Sequence, residues 1–132
     1  MYLRRPGGQM QFSRFQLLDA DGPGPIGDVQ RWIQANLTAD LSVEALADRA
    51  AMSPRNFTRV FTRETGTTPA RYVAEARLAA ARNRLEQTMD TLDRVAVATG
   101  FGSSINLRRI FEKQLKLTPG EYRQRFHSRK MA

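Results

Sequence analysis

Cysteine is absent from the 132 residues, and histidine occurs once, at His127. The first absence excludes a disulfide framework, a thiol nucleophile and any thiolate zinc site. The second leaves too few imidazoles for a histidine metal cage or a histidine-based triad. Negative charge is also the minority, 13 Asp plus Glu against 21 Lys plus Arg, for a net charge of +8. The carboxylates are scattered, with no pair tied to a nucleophile or a metal, so helix caps and surface charge account for them. No apolar run approaches the ~18 residues that a membrane-spanning helix needs. Residues Met1 to Gly8 lack the apolar stretch of a secretory signal. These absences point away from enzyme chemistry, and neither a cofactor nor a membrane is expected.

What is present is a chain of ordinary globular composition, 41% hydrophobic and 26% charged, of a length suited to one domain or two small lobes. Lysine is scarce too: Lys113, Lys116 and Lys130 leave 18 of the 21 basic residues as Arg. Arg presents a planar five-donor fork suited to phosphate and guanine, where Lys is a point charge. A basic excess of this kind attracts polyanions over long range. Nucleic acid, an anionic membrane face and an acidic protein all qualify, and so does a merely solvated basic surface.

Residues 1–27 differ from the rest. They hold five of the nine Gly and three of the six Pro, the composition of a tether. They also carry three Arg against two Asp, so +7 of the +8 belongs to residues 28–132. From Asp28 the pattern is helical. Asp28 is expected to cap a first helix to Leu37, with Val29, Trp32 and Ile33 at helical spacing. Ser42 caps a second. Ser53-Pro54 is a strong start signal for a third, which stops at Gly66. Thr68-Pro69 opens a long Ala- and Arg-rich helix to about Gln87. Thr91 caps a fifth helix ending at Gly100, Ser103 or Ser104 opens a sixth, and Thr118-Pro119 opens a short last one. No alternating strand pattern appears, and the fold class read here is all-α.

The chain repeats itself. Ser42-Val43-Glu44-Ala45-Leu46-Ala47 matches Thr91-Leu92-Asp93-Arg94-Val95-Ala96 at an offset of 49, and Phe57-Thr58-Arg59-Val60-Phe61 matches Leu107-Arg108-Arg109-Ile110-Phe111 at 50. Thr68-Pro69 and Tyr72 match Thr118-Pro119 and Tyr122 at the same offset of 50. The extra residue falls in a turn, where insertions are most easily absorbed. Each copy reads as short helix, tight turn and longer basic helix, a helix-turn-helix. Ala47 and Ala96 are small where the two helices cross, and Met52 and Phe101 plug the turns.

In such a unit the second helix lies in the major groove and turns its first residues to the base edges. With Phe57, Val60 and Phe61 inward, Arg55, Thr58 and Arg59 face out as base readers. Arg63, a turn further on, meets phosphate. In the second copy Ser104, Ile105, Arg108 and Arg109 occupy the exposed start, and Lys113 reads as a phosphate contact. Arg donates two bonds to guanine O6 and N7, whereas Ile105 reads only shape or a methyl group. A solvated face or an intramolecular ion pair is the alternative place for each Arg. The aromatics sit at core spacing rather than as a stacking platform. Arg123, Arg125, Arg129 and Lys130 form a basic tail.

This doubled motif with a long connecting helix resembles the DNA-binding domain of AraC/XylS-type transcription regulators. Leu46-Ala47, Met52 to Phe61 and Gly66 to Tyr72 carry the resemblance. So do Gly100 to Ser104, Asn106 to Phe111 and Leu117 to Arg123. It covers roughly residues 28–126: lobe one about 28–68, a connecting helix 69–87 and lobe two about 91–126. The resemblance implies a bacterial, cytoplasmic, nucleoid-associated regulator that binds double-stranded DNA sequence-specifically. Two recognition helices, about 54–65 and 104–115, would enter successive major grooves. The family's base-reading places fall on Arg55, Thr58 and Arg59, and on Ser104, Ile105, Arg108 and Arg109. Lys116 stands where the family often has Gly. Tyr2 to Ser13 resembles the segment that joins an amidotransferase-like sensor to this domain in the GlxA-like branch. On that reading residues 1–27 link to a missing N-terminal sensor domain that handles effector and dimerisation. A second reading keeps one helix-turn-helix on DNA and makes the rest a protein-interaction module, docking for example on RNA polymerase.

Overall fold

The computed structural model describes Gly22 and residues 24–131. The expected link to a sensor, with its Tyr2 to Ser13 segment, therefore lies outside the described residues. Among those residues the chain forms helices and no strand: α1 Gly24–Ala35, α2 Val43–Arg49, α3 Pro54–Thr65, α4 Pro69–Gln87, α5 Leu92–Ala98, α6 Ser104–Leu115 and α7 Pro119–Met131.

Six helices begin on the hydroxyl that the sequence offers, among them α4, where Thr68 Oγ1 accepts from the N–H of Arg71 at 3.3 Å. Ser42 Oγ accepts from the backbone N–H of Ala45, and Ser53 Oγ from that of Asn56 (both 3.2 Å). Thr91 Oγ accepts from Arg94 at 3.2 Å and Ser103 Oγ from Asn106 at 3.1 Å. Each satisfies one of the four N–H groups that a helix start leaves free. Thr118 and Glu121 form a reciprocal box before α7: each side chain accepts from the other's backbone N–H, at 3.0 and 2.8 Å. The N–H of Thr118 holds the Glu121 carboxyl below its ordinary range.

The chain divides into two compact units, with the boundary inside α4 between Ala76 and Arg77. In the first, α2 and α1 both pack on α3. Its core joins Ile26, Val29 and Ile33 to Leu46, Ala47, Phe57 and Phe61. Tyr72, at the start of α4, is fully buried, and its hydroxyl accepts from Gln34 at 2.9 Å. In the second unit α6 packs on α5 and α7. Leu85, Val95, Ala96, Leu107 and Phe111 are its fully buried core, and Phe101 lies buried in the turn. Tyr122 repeats the place of Tyr72 with other partners: its hydroxyl donates to Glu86 and accepts from Arg82 Nε at 3.2 Å. Burial and the Glu86 carboxylate push that phenol up.

Helix boundaries and the burial of one aromatic differ from the sequence reading. The first helix starts at Gly24 rather than Asp28, because Ile26 is buried and extends the Val29–Ile33 stripe by one turn. Pro25 is tolerated there, in the first turn, where no intrahelical N–H bond is lost. Asp28 instead pairs with Arg31 on the exposed side. The last helix is not short but continues to Met131, beyond the end expected for lobe two. Trp32, expected in the core, is only half-buried, with the Arg49 guanidinium 3.5 Å from its ring centroid.

The ends of α3 and α6 expose one mismatch between the copies. Both are capped by a left-handed residue, Gly66 (φ 83°) in the first and Lys116 (φ 65°) in the second. A side chain in this region costs energy that glycine avoids. Lys116→Gly is expected to stabilise the protein by about 1 kcal/mol, read as a rise in Tm by calorimetry. A Tm that stays level or falls refutes this.

Candidate nucleic-acid interface

The turns that aim α3 and α6 are built alike. The N–H of Met52 donates to Ala47 O at 3.0 Å, and the N–H of Phe101 to Ala96 O at 2.9 Å. Ala51 and Gly100, at matching places, both take positive φ, 58° and 93°. The second turn then adds Gly102, whose N–H also reaches Ala96 O at 3.1 Å. Met52 is half-buried and Phe101 buried, so both seat apolar bulk in the junction.

Beyond these turns each helix shows two opposite faces. α3 buries Phe57, Val60, Phe61 and Thr65, and exposes Arg55, Arg59 and Arg63, spaced four apart along one side. α6 buries Leu107 and Phe111 and exposes Ile105, Arg109 and Lys113 at the same spacing. The two stripes correspond residue by residue at the offset of 50. Arg108 is exposed beside the second stripe, while Thr58 and Ser104, expected to face out, are half-buried. Ile105 is 79% exposed. Met89 and Val97 are large hydrophobics exposed in the same way, but neither lies on a recognition helix.

The described ion pairs join Arg31 to Asp28, Arg71 to Glu75 and Arg84 to Asp90. Among the described residues, then, Arg55, Arg59, Arg63, Arg108 and Arg109 are not neutralised by a carboxylate. The intramolecular alternative is taken up elsewhere. Arg123 turns inward to donate to Leu85 O at 3.2 Å, while Arg125 and Arg129 stay exposed on α7.

Two polar residues stand out that residue type alone did not flag. Asn56 Oδ1 accepts from Arg59 Nη2 at 2.6 Å, and Asn106 Oδ1 from Arg109 Nη2 at 2.7 Å. The signal was present as Asn-x-x-Arg in both copies, a spacing that places the two side chains as neighbours on a helix.

Two helix-turn-helix units, each with an exposed stripe carrying basic residues on its second helix, define the class of protein. A model of the family described as "Helix-turn-helix domain" matches residues 46–125. The chain is 44% identical over 108 residues to the Mycobacterium tuberculosis protein named HTH-type transcriptional regulator Rv1931c, covering 82% of this chain and 40% of that protein. It is 34% identical over 93 residues to the transcriptional activator RhaS of Escherichia fergusonii, 70% of this chain and 34% of that one. The chain thus spans well under half the length of these curated relatives. Among solved structures, the DNA-binding domain of AdpA in complex with a target DNA is similar, with a TM-score of 0.77 and 36% identity over 81% of this chain and 96% of that one. A Chromobacterium violaceum regulator described as AraC-type gives a TM-score of 0.69 at 28% identity over 77% of this chain and 91% of its own. The chain belongs to the helix-turn-helix domain family of AraC-type transcription regulators.

Proposed function

We propose that this chain is the DNA-reading part of a transcription regulator, binding double-stranded DNA sequence-specifically with α3 and α6 in successive major grooves. The carrying observation is the doubled stripe: Arg55-Arg59-Arg63 and Ile105-Arg109-Lys113, exposed at equivalent places and, among the described residues, without a carboxylate partner. Likeness to a domain solved on its target DNA supports the same reading. Arg55, Arg59 and Arg109 supply forks for guanine, Ile105 a surface for the thymine methyl, and Arg108 a further reader. Thr58 and Ser104, half-buried at the edge of the stripes, reach the same groove. Arg63 and Lys113, deeper along each helix, hold phosphate.

On this reading no cofactor or catalytic step is called for, and the site of work is the cytoplasmic nucleoid. No helix among the described residues is long and apolar enough to cross a membrane. Effector binding, dimerisation and any approach to RNA polymerase fall to the parts of such a regulator beyond the matched segment. Residues 1–27 would supply the link to them.

Selection of bound sequences from random duplex DNA, at two salt concentrations, tests the proposal. Two specified blocks about one helical turn (~10 bp) apart are expected. No enrichment refutes it, and a single block favours a protein-interaction role for the other unit. Arg63→Ala and Lys113→Ala should weaken binding to all sequences alike and reduce the salt slope by about one each. A loss confined to the selected site would make them base readers instead.

A further inference from the structure

Arg carries a large side-chain rotamer entropy, and a two-bond grip on guanine needs its plane held in one orientation. An arginine that is already held binds with less ordering to do. In this protein the holding group is on the same helix. The backbone N–H of Asn56 donates to the cap hydroxyl of Ser53 at 3.2 Å, which fixes the residue in the first turn of α3. From there its Oδ1 takes one hydrogen of Arg59 Nη2 at 2.6 Å. Ser103, Asn106 and Arg109 repeat the arrangement, at 3.1 and 2.7 Å. One of five guanidinium donors is used, and four remain for a base.

The second copy is tied more firmly. Asn106 Nδ2 also donates to Phe101 O at 3.0 Å, so its amide is held at both ends, by the arginine and by the turn. Among the described residues the Asn56 amide nitrogen has no such tie. Both Arg59 and Arg109 are exposed, so each bond lies at the surface rather than in the core.

We propose that Asn56 and Asn106 are positioning residues that preset the guanidinium planes of Arg59 and Arg109 for base reading. This rests on the DNA-reading role proposed above. The selected duplex and a scrambled one provide the test, with Tm measured in parallel. Asn56→Ala should lose about threefold to tenfold affinity for the selected duplex, the range expected for ordering one long side chain. Affinity for the scrambled duplex and Tm should hold, and Asn106→Ala should lose more than Asn56→Ala. Asn56→Asp, which keeps the accepting oxygen, should keep the ratio of selected to scrambled affinity. In an Arg59→Ala background, Asn56→Ala should cost nothing further.

The positioning role is overturned by an equal cost in that background, by no cost at all, or by an Asp variant as poor as Ala. A loss shared by both duplexes, or a matching fall in Tm, marks a structural asparagine and overturns it equally. If Arg59→Ala destroys selectivity while Asn56→Ala does not, only the positioning role falls. A parent chain that prefers neither duplex overturns the DNA-reading role and the positioning role together.

Discussion

Arg59→Ala and Arg109→Ala are each expected to cost about 1–3 kcal/mol on the selected duplex, with selectivity relaxed at one base pair apiece. The two residues lie in different units and share no hydrogen-bond partner, their acceptors being Asn56 and Asn106. Their costs should therefore add, to about 2–6 kcal/mol in the double variant. Arg→Lys at either place should recover little, because Lys keeps the charge but loses the planar fork. Titration of labelled duplexes, each altered at one base pair, measures both affinity and selectivity. If both single variants bind the selected site as tightly as the parent, the paired-reader account is wrong.

Phe61→Ala should be the most damaging change to stability, at about 3–5 kcal/mol. Phe61 is fully buried and lies between two aromatic neighbours, with ring centroids 5.5 Å from Phe57 and 5.5 Å from Tyr72. Truncation removes both ring contacts and leaves a cavity beneath the recognition helix. A small domain holds only about 5–15 kcal/mol in all, so much of the margin goes. Tyr72→Phe keeps the ring and removes the bond from Gln34, and should cost about 1 kcal/mol. Urea unfolding followed by circular dichroism compares them. Equal costs for the two variants would contradict the packing argument.

Local chemistry explains how much of this was legible in the sequence. Ser42, Ser53 and Thr91 are caps in the sequence and caps in the structure, and Ser103 is the one used of the two offered with Ser104, because a hydroxyl before an apolar-periodic run acts within a few residues. Tyr72 and Tyr122 reveal the repeat at once, yet their hydroxyl partners, Gln34 against Arg82 and Glu86, are far apart in sequence. The start of α1 was hidden by its Gly-Pro-Gly-Pro composition; what decides it is the burial of Ile26, a tertiary fact. Trp32 departs from its spacing in a related way: periodicity places it toward the core, whereas in the fold it is half-buried with the Arg49 guanidinium over its ring. On the interface, the outward arginines followed from which neighbours were apolar. Their tethering by Asn56 and Asn106 depends on side-chain rotamers, which spacing permits but does not choose.

That tryptophan has a spectroscopic consequence. It is the single Trp of the chain, and it belongs to the unit that ends at Ala76. Indole emission therefore watches one lobe and is blind to the other, while circular dichroism records helix in both. The guanidinium stacked on the ring would leave as the lobe opens, exposing the indole to water and shifting its emission to the red. Following the two signals along one denaturant series separates the melting of the two lobes without any added label. Coincident curves would mean that the helix they share makes them melt as one.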